Sequence, residues 1–163
     1  METILILSDI HGGVHRAAEA VRMHRNCKTV LFLGDGARHI DALRAVNPDA
    51  AFVAVRGNCD TFLDGVEETE LTLEICSHRI FMCHGHIRFV KSGTGALLNA
   101  AKEKNADIAL YGHTHVAREE FDAESGIYLF NPGSIGETRD GRYTYGLLTI
   151  DEKNVHFSVG EIK

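Results

Sequence analysis

The chain has 163 residues, 44% hydrophobic and 25% charged, with a formal net charge of −6. That length suits one domain over residues 1–163, able to bury a core without disulfides or a structural metal. The acidic balance excludes broad electrostatic binding to extended nucleic acid or an anionic membrane, because there is no cationic surplus to release counterions.

The first apolar run, Ile4-Leu5-Ile6-Leu7, reads as a buried strand. Residues 14–25 follow as an amphipathic helix, with Val14, Ala17, Ala18, Val21 and Met23 spaced among charges. Val30-Leu31-Phe32-Leu33 is the second strand, and residues 39–46 form a helix stopped by Asn47-Pro48. Phe52-Val53-Ala54-Val55 is the third strand. Residues 70–75 alternate polar and apolar, the pattern of a half-exposed antiparallel strand. Two more buried runs, residues 79–83 and 107–111, flank a helix at residues 95–104. Beyond them, residues 116–121, 127–130, 145–150 and 155–159 read as strands joined by turns such as Asp140-Gly141 and Glu152-Lys153-Asn154. Strand–helix alternation early and hairpins late imply an α/β architecture of two mixed sheets packed face to face and flanked by helices.

None of the four cysteines forms a C-x-x-C pair, so neither a zinc ribbon nor a thioredoxin motif is expected, and Cys27, Cys76 and Cys83 read as core residues. The chain opens directly into a strand-like run, its apolar stretches are far short of a membrane span, and a cytoplasmic protein is expected. The unusual number is ten histidines. His11, His84, His86, His113 and His115 cluster in short motifs. His15, His24, His78 and His156 read as structural, and His39 as surface or support.

Five buried runs end in metal-binding chemistry: Ser8-Asp9-Ile10-His11, Gly34-Asp35-Gly36, Arg56-Gly57-Asn58-Cys59-Asp60, His84-Gly85-His86 and Gly112-His113-Thr114-His115. In open α/β sheets, sites form beyond the carboxyl ends of strands, so these groups should converge. Carboxylate, imidazole and amide oxygen suit divalent Mn, Fe, Zn, Ni or Co. In extended backbone, residues two apart point the same way, so Asp9 and His11 can grip one ion, while His113 and His115 sit in a turn and can serve different ions. Gly34, Gly57, Gly85 and Gly112 let the chain turn sharply there. Singly, Asp9 or Asn58 would be read as turn formers; jointly with the histidines they are not. Asp60 is read as capping a turn or supporting a neighbour, and Arg56 and Ser134 as structural support.

In this order, D-x-H, G-D, G-N-C-D, H-G-H and G-H-x-H resemble the calcineurin-like metallophosphoesterase superfamily. The short chain and the G-N-C-D form resemble its small bacterial and archaeal phosphodiesterase branch. The motifs run from Asp9 to Asn131-Pro132-Gly133-Ser134. The resemblance implies a four-layer α-β-β-α sandwich of the metallo-dependent phosphatase kind. It implies two divalent metal ions per chain, manganese first, with nickel, iron, zinc, cobalt or magnesium as alternatives. Asp9, His11 and His115 would hold one ion, Asn58, His84 and His113 the other, and Asp35 would bridge them. Two divalent ions less two aspartates leave a site charge of roughly +2, which an acidic protein needs to attract phosphate. The implied activity is hydrolysis of a small phosphate ester, a diester before a monoester, by hydroxide between ions about 3.5–4 Å apart. A homodimer is also implied.

One position departs from much of the superfamily, which carries histidine after the metal-binding asparagine, where it can help the leaving group. Here that residue is Cys59, whose ordinary pKa of about 8.5 makes it a poor acid. The small branch shares this cysteine. Besides Asn58, the candidate catalytic residue is His86, read as leaving-group donor against the alternative of a local hydrogen-bonder. The rival function is a non-catalytic protein-binding scaffold, as in a retromer subunit resembling this branch whose catalytic histidines are altered. All seven ligands are kept here, which favours the enzyme. The acidic balance and lack of a basic aromatic stripe count against a nuclease.

Overall fold

Strand β1 (Glu2–Leu7) explains why the leading run is apolar at every position. Ile4 and Ile6 enter one core while Leu5 and Leu7 enter another, all four fully buried. Side chains alternate across a strand, and only a strand covered on both faces needs an unbroken apolar run. The computed structural model describes residues 1–163.

From β1 the chain forms helix α1 (Val14–Met23), β2 (Thr29–Phe32), α2 (Ile40–Val46) and β3 (Ala51–Ala54). Strands β1, β2 and β3 pair in parallel, Ile4 opposite Thr29 and Thr29 opposite Ala51. Strands β9 (Tyr143–Ile150) and β10 (Val155–Ile162) extend this sheet antiparallel, giving the order β10-β9-β1-β2-β3. The second sheet contains β4 (Glu70–Ile75), β5 (His78–Cys83), β6 (Ile108–Leu110), β7 (Ala117–Asp122) and β8 (Ile127–Pro132), in the order β4-β5-β6-β8-β7. Helix α3 (Gly95–Glu103) connects β5 to β6.

Three cores separate four layers. Ile4, Ile6, Leu31, Ile80, Met82, Ile108 and Leu148 fill the space between the sheets. Ala17, Ala20, Val21 and Leu43 of α1 and α2 pack on Leu5, Val30 and Phe32. Leu97, Ala100 and Ala101 of α3 cover Phe81, Ala109 and Leu129. The expected α/β sandwich of two mixed sheets with flanking helices is therefore the observed fold. Two side-chain expectations change. Met23, in the last turn of α1, is 57% exposed. Cys76 sits in the β4–β5 turn with φ 49°, at the margin of the inter-sheet core. No helix is long and apolar enough to cross a membrane.

The parallel arrangement decides where the chemistry goes. Strands β1, β2 and β3 deliver the segments of Asp9, Asp35 and Asn58 at their carboxyl ends, and β5 and β6 deliver those of His84 and His113. The loops are stitched together. The Asp9 N–H donates to the Gly34 carbonyl at 2.9 Å, the Gly112 N–H to His84 at 3.0 Å, and the Ile135 N–H to Ser8 at 3.2 Å.

Candidate metal centre

All seven expected ligands come together. Asp9, His11 and His115 place ligand atoms within 4.8 Å of one another, as do Asp35, His84 and His113. Asn58 Oδ1 lies 3.1 Å from His84 Nε2, completing the second group. Asp35 Oδ2 lies between the groups, 3.3 Å from His84 Nε2 and 3.9 Å from His11 Nε2. His11, Asp35, Asn58, His113 and His115 line a cavity of about 320 Å³. Asp9 and His84 are buried.

The backbone reaches this arrangement differently from the sequence expectation. Asp9 and His11 are not in extended backbone; their φ values are 54° and 43°. Asp35, His113 and His115 are left-handed too, at 60°, 68° and 60°. Such φ values are uncommon outside glycine and persist only where surroundings enforce them. The glycine argument also changes. Gly34 and Gly85 do have positive φ, 98° and 105°. Gly57 and Gly112 serve close approach instead: an added Cβ would lie 2.1 Å from Asp35 Oδ1 or 2.0 Å from Ser8 Oγ.

The two aspartates share one design. Asp9 Oδ2 accepts the Ser8 hydroxyl at 2.5 Å and the His113 N–H at 3.0 Å. Its other oxygen, Oδ1, is buried without a hydrogen-bond donor and lies 3.1 Å from His115 Nε2 and 3.9 Å from His84 Nε2. Asp35 Oδ1 accepts the Cys59 N–H at 2.8 Å, leaving Oδ2 for the imidazoles. Around the cluster, Asp60 accepts the N–H groups of Asp35, Gly36, Ala37 and Gly57 at 2.7–2.9 Å, which is the supporting role expected of it.

His84 Nδ1 lies 2.7 Å from the Leu33 carbonyl. A carbonyl can only accept, so Nδ1 carries the proton and Nε2 turns a lone pair toward Asp35, Asn58 and His113. Burial alone would depress the His84 pKa. In the protonated ring Nε2 would instead donate to Asp35, and that bond with the charges of Asp9 and Asp35 outweighs burial and raises the pKa. Burial works against ionisation of Asp35 as well, yet His84 and the Cys59 N–H hold its carboxyl well below the usual range. Lone pairs of two carboxylates and several imidazoles facing one space call for positive charge there. Divalent cations supply it and leave the imidazoles neutral, so the donor set fits the group. Burial, joined by the charge of His84 whenever that ring is protonated, brings the His113 pKa down to about 4.

Of the remaining candidates, His86 packs 5.4 Å from the His84 ring and 6.1 Å from the His113 ring, with Nδ1 buried and unpaired. Cys59 lies beside His11 and Asp35, and burial together with the Asp35 hydrogen bond pushes its thiol up to about 11. Ser134 donates to the Asp9 carbonyl at 2.9 Å, and the Asn131 amide to Gly112 O at 2.9 Å, so Asn131-Pro132-Gly133-Ser134 buttresses both ligand loops. Arg56 stacks on Phe62, 4.1 Å from its ring centre. His39 Nε2 lies 3.1 Å from the His11 carbonyl. His24 pairs with the Tyr145 hydroxyl, and His78 with Asp107. Sequence reasoning missed Lys91, Glu137 and Arg139, which line the same cavity; Glu137 Oε2 is 3.4 Å from His11 Nε2. The usable signal for Glu137 was Ser134, whose hydroxyl accepts the Glu137 N–H.

Residues 2–153 match the family model of the calcineurin-like phosphoesterase superfamily domain. The chain belongs to that superfamily. It is 30% identical over 150 residues to the probable metallophosphoesterase YsnB of Bacillus subtilis, covering 91% of this chain and 84% of that one. Against the phosphodiesterase YfcE of Escherichia coli K12 it is 28% identical over 179 residues, with 95% and 91% covered. The fold is also that of Vps29 from Entamoeba histolytica in complex with zinc, with a TM-score of 0.76, 20% identity and 98% of each chain covered. Membership implies a metal-dependent phosphoesterase and agrees with the His/Asp cluster of the structure.

Proposed function

We propose that the protein is a dinuclear metal-dependent phosphodiesterase acting on a small phosphate ester. The observation that carries this is the paired aspartate design: Asp9 and Asp35 each have one oxygen locked by N–H or O–H donors and the other turned among imidazole nitrogens. Asp9, His11 and His115 would hold one ion, Asn58, His84 and His113 the other, with Asp35 shared. Divalent ions held there would supply Lewis acidity for the phosphoryl oxygens and would lower the pKa of a water nucleophile. Manganese is the first candidate by family resemblance, with nickel, iron, zinc, cobalt and magnesium as competitors, since several divalent ions suit mixed imidazole and carboxylate donors.

The chain's own groups do the positioning. The Leu33 carbonyl fixes the His84 tautomer, as second-shell acceptors do for metal-binding imidazoles. Ser8 and the His113 N–H hold the Asp9 carboxylate in one rotation. The rival scaffold reading needs none of this. A docking surface gains nothing from five left-handed residues and a buried carboxylate oxygen without a donor. A cytoplasmic location, a homodimer and one domain over residues 1–163 are further parts of the proposal.

The test is hydrolysis of bis(p-nitrophenyl) phosphate, p-nitrophenyl phosphate and cyclic nucleotides with each divalent metal added, wild type beside His84→Ala. Wild type is expected to act on the diester first, and His84→Ala, as a direct ligand, to lose more than the roughly 10–100-fold typical of an outer-shell partner. Equal rates for both proteins on every compound would remove the enzyme reading.

With a high pKa at Cys59, the proton for the leaving oxygen is assigned to His86. His86→Ala should then cost less than about threefold on p-nitrophenyl esters, whose leaving group departs as an anion. On an alkyl-leaving diester it should cost about 10²-fold. Equal losses on both substrates would take His86 out of the proton-transfer role.

A further inference from the structure

The cavity of the metal centre does not end there. It shares Lys91 and Arg139 with a neighbouring cavity of about 400 Å³, whose walls include Val90, Tyr111, Val116 and Arg118. Arg118 is already neutralised, with its Nε 3.0 Å from Glu120 Oε1. Lys91 and Arg139 have no carboxylate within 4.0 Å, and the acidic group on their side of the centre, Glu137, approaches His11 instead. Two uncommitted cations in a chain of net charge −6 thus stand beside the place where phosphate would bind.

Lys91 is presented by a built segment rather than a loose loop. It lies in the 3-10 turn Val90–Ser92, entered through Phe89 at φ 52° and left through Gly93 at φ 136°. The Val90 N–H returns to the Gly85 carbonyl at 3.3 Å, which ties the turn to the loop bearing His84. Tyr111 forms part of the wall with only 2% of its surface exposed, which makes that wall a fixed one. Val90 and Val116 add an apolar side that an aliphatic or sugar arm can lie against.

We propose that the substrate is a phosphodiester carrying a second phosphate on one of its ester arms, and that Lys91 and Arg139 hold that second phosphate while the metal centre holds the first. A guanidinium and an ammonium together match a dianion in charge, and the guanidinium adds bidentate geometry. Two linked anions engaging two sites gain by effective concentration, and only when the linker spans them. This rests on the metal-centre reading above and narrows it to a substrate class.

Calorimetry on the manganese-loaded protein tests it without requiring turnover. The ligands are alkanediol bisphosphates of graded chain length, each beside the alkyl monophosphate of equal length. A symmetric bisphosphate gains about twofold on statistics alone, whereas a matched length should bind about tenfold tighter or better. The advantage should shrink as salt is raised. In the double variant Lys91→Gln, Arg139→Gln the ratio should fall to about two, the statistical value. Both side chains are exposed, so the fold tolerates the change, and any effect on the metal centre common to both ligands cancels in the ratio. No length exceeding the statistical gain, or an advantage that survives the double variant, overturns the proposal. Failure of all diester hydrolysis with the ratio intact would instead remove the hydrolase reading and leave the second phosphate site standing.

Discussion

Asp35→Asn is expected to lower manganese-dependent kcat/KM for bis(p-nitrophenyl) phosphate by about 10³-fold or more, with the fold retained. The substitution preserves shape, and the amide oxygen can still accept the Cys59 N–H that Asp35 Oδ1 takes at 2.8 Å. What it removes is one unit of negative charge at the point shared by both imidazole groups. A unit charge about 4 Å from another is worth about 4 kcal/mol at an effective dielectric near 20, and each proposed ion is divalent. About 4 kcal/mol corresponds to roughly 10³ in rate or occupancy. Titrating metal separates the two: weakened binding is recovered at high metal, lost transition-state stabilisation is not. Thermal melting of the metal-free variant should move by only a few degrees. Activity within tenfold of wild type at saturating manganese would end the bridging assignment for Asp35.

Asp60→Ala is the largest expected loss of stability. Its carboxylate accepts four backbone N–H groups, from Asp35, Gly36, Ala37 and Gly57. Truncation leaves them to whatever water enters, and because the site is part-buried the cost is set at about 2–4 kcal/mol, not the full penalty for four orphaned donors. For a chain of this size that lowers Tm by about 5–15 °C. Activity should fall with it, because the turn bearing Asp35 loses its anchor. Asp60→Asn keeps one acceptor oxygen and should recover part of the loss. The melting loss should appear equally in metal-free protein. A loss seen only with metal present would mean that Asp60 coordinates an ion instead of bracing the loop.

How the site was legible follows from which forces are local. The unbroken apolar character of Ile4-Leu5-Ile6-Leu7 announces a strand buried on both faces, and Asp9 and His11 follow it directly, so the location of the chemistry could be read along the chain. The same holds at Asp35, Asn58, His84 and His113. The geometry by which Asp9 and His11 cooperate could not be read this way. The expectation of extended backbone was reasonable for residues leaving a strand, but packing against the Gly34, Asp35 and Ser134 segments holds both residues left-handed. Gly57 and Gly112 were legible as special and misread as turns, because a close neighbour from another strand leaves no trace in local sequence. Lys91 and Arg139 carried no signal at all. A lone cation in a loop is ordinary until the fold sets it beside a cavity.

By itself the sequence determined the succession of apolar runs, the α/β class and which strand ends carry the seven candidate ligands, since each depends on periodicity and on residues adjacent in the chain. Tertiary structure alone decided which of those side chains meet. His11 and His115 approach to 3.4 Å across 104 positions of sequence, and His84 and His113 to 3.2 Å across 29. Only folding could place them so, because the cost of holding donor lone pairs face to face is borne by the packing of two sheets and not by any local preference.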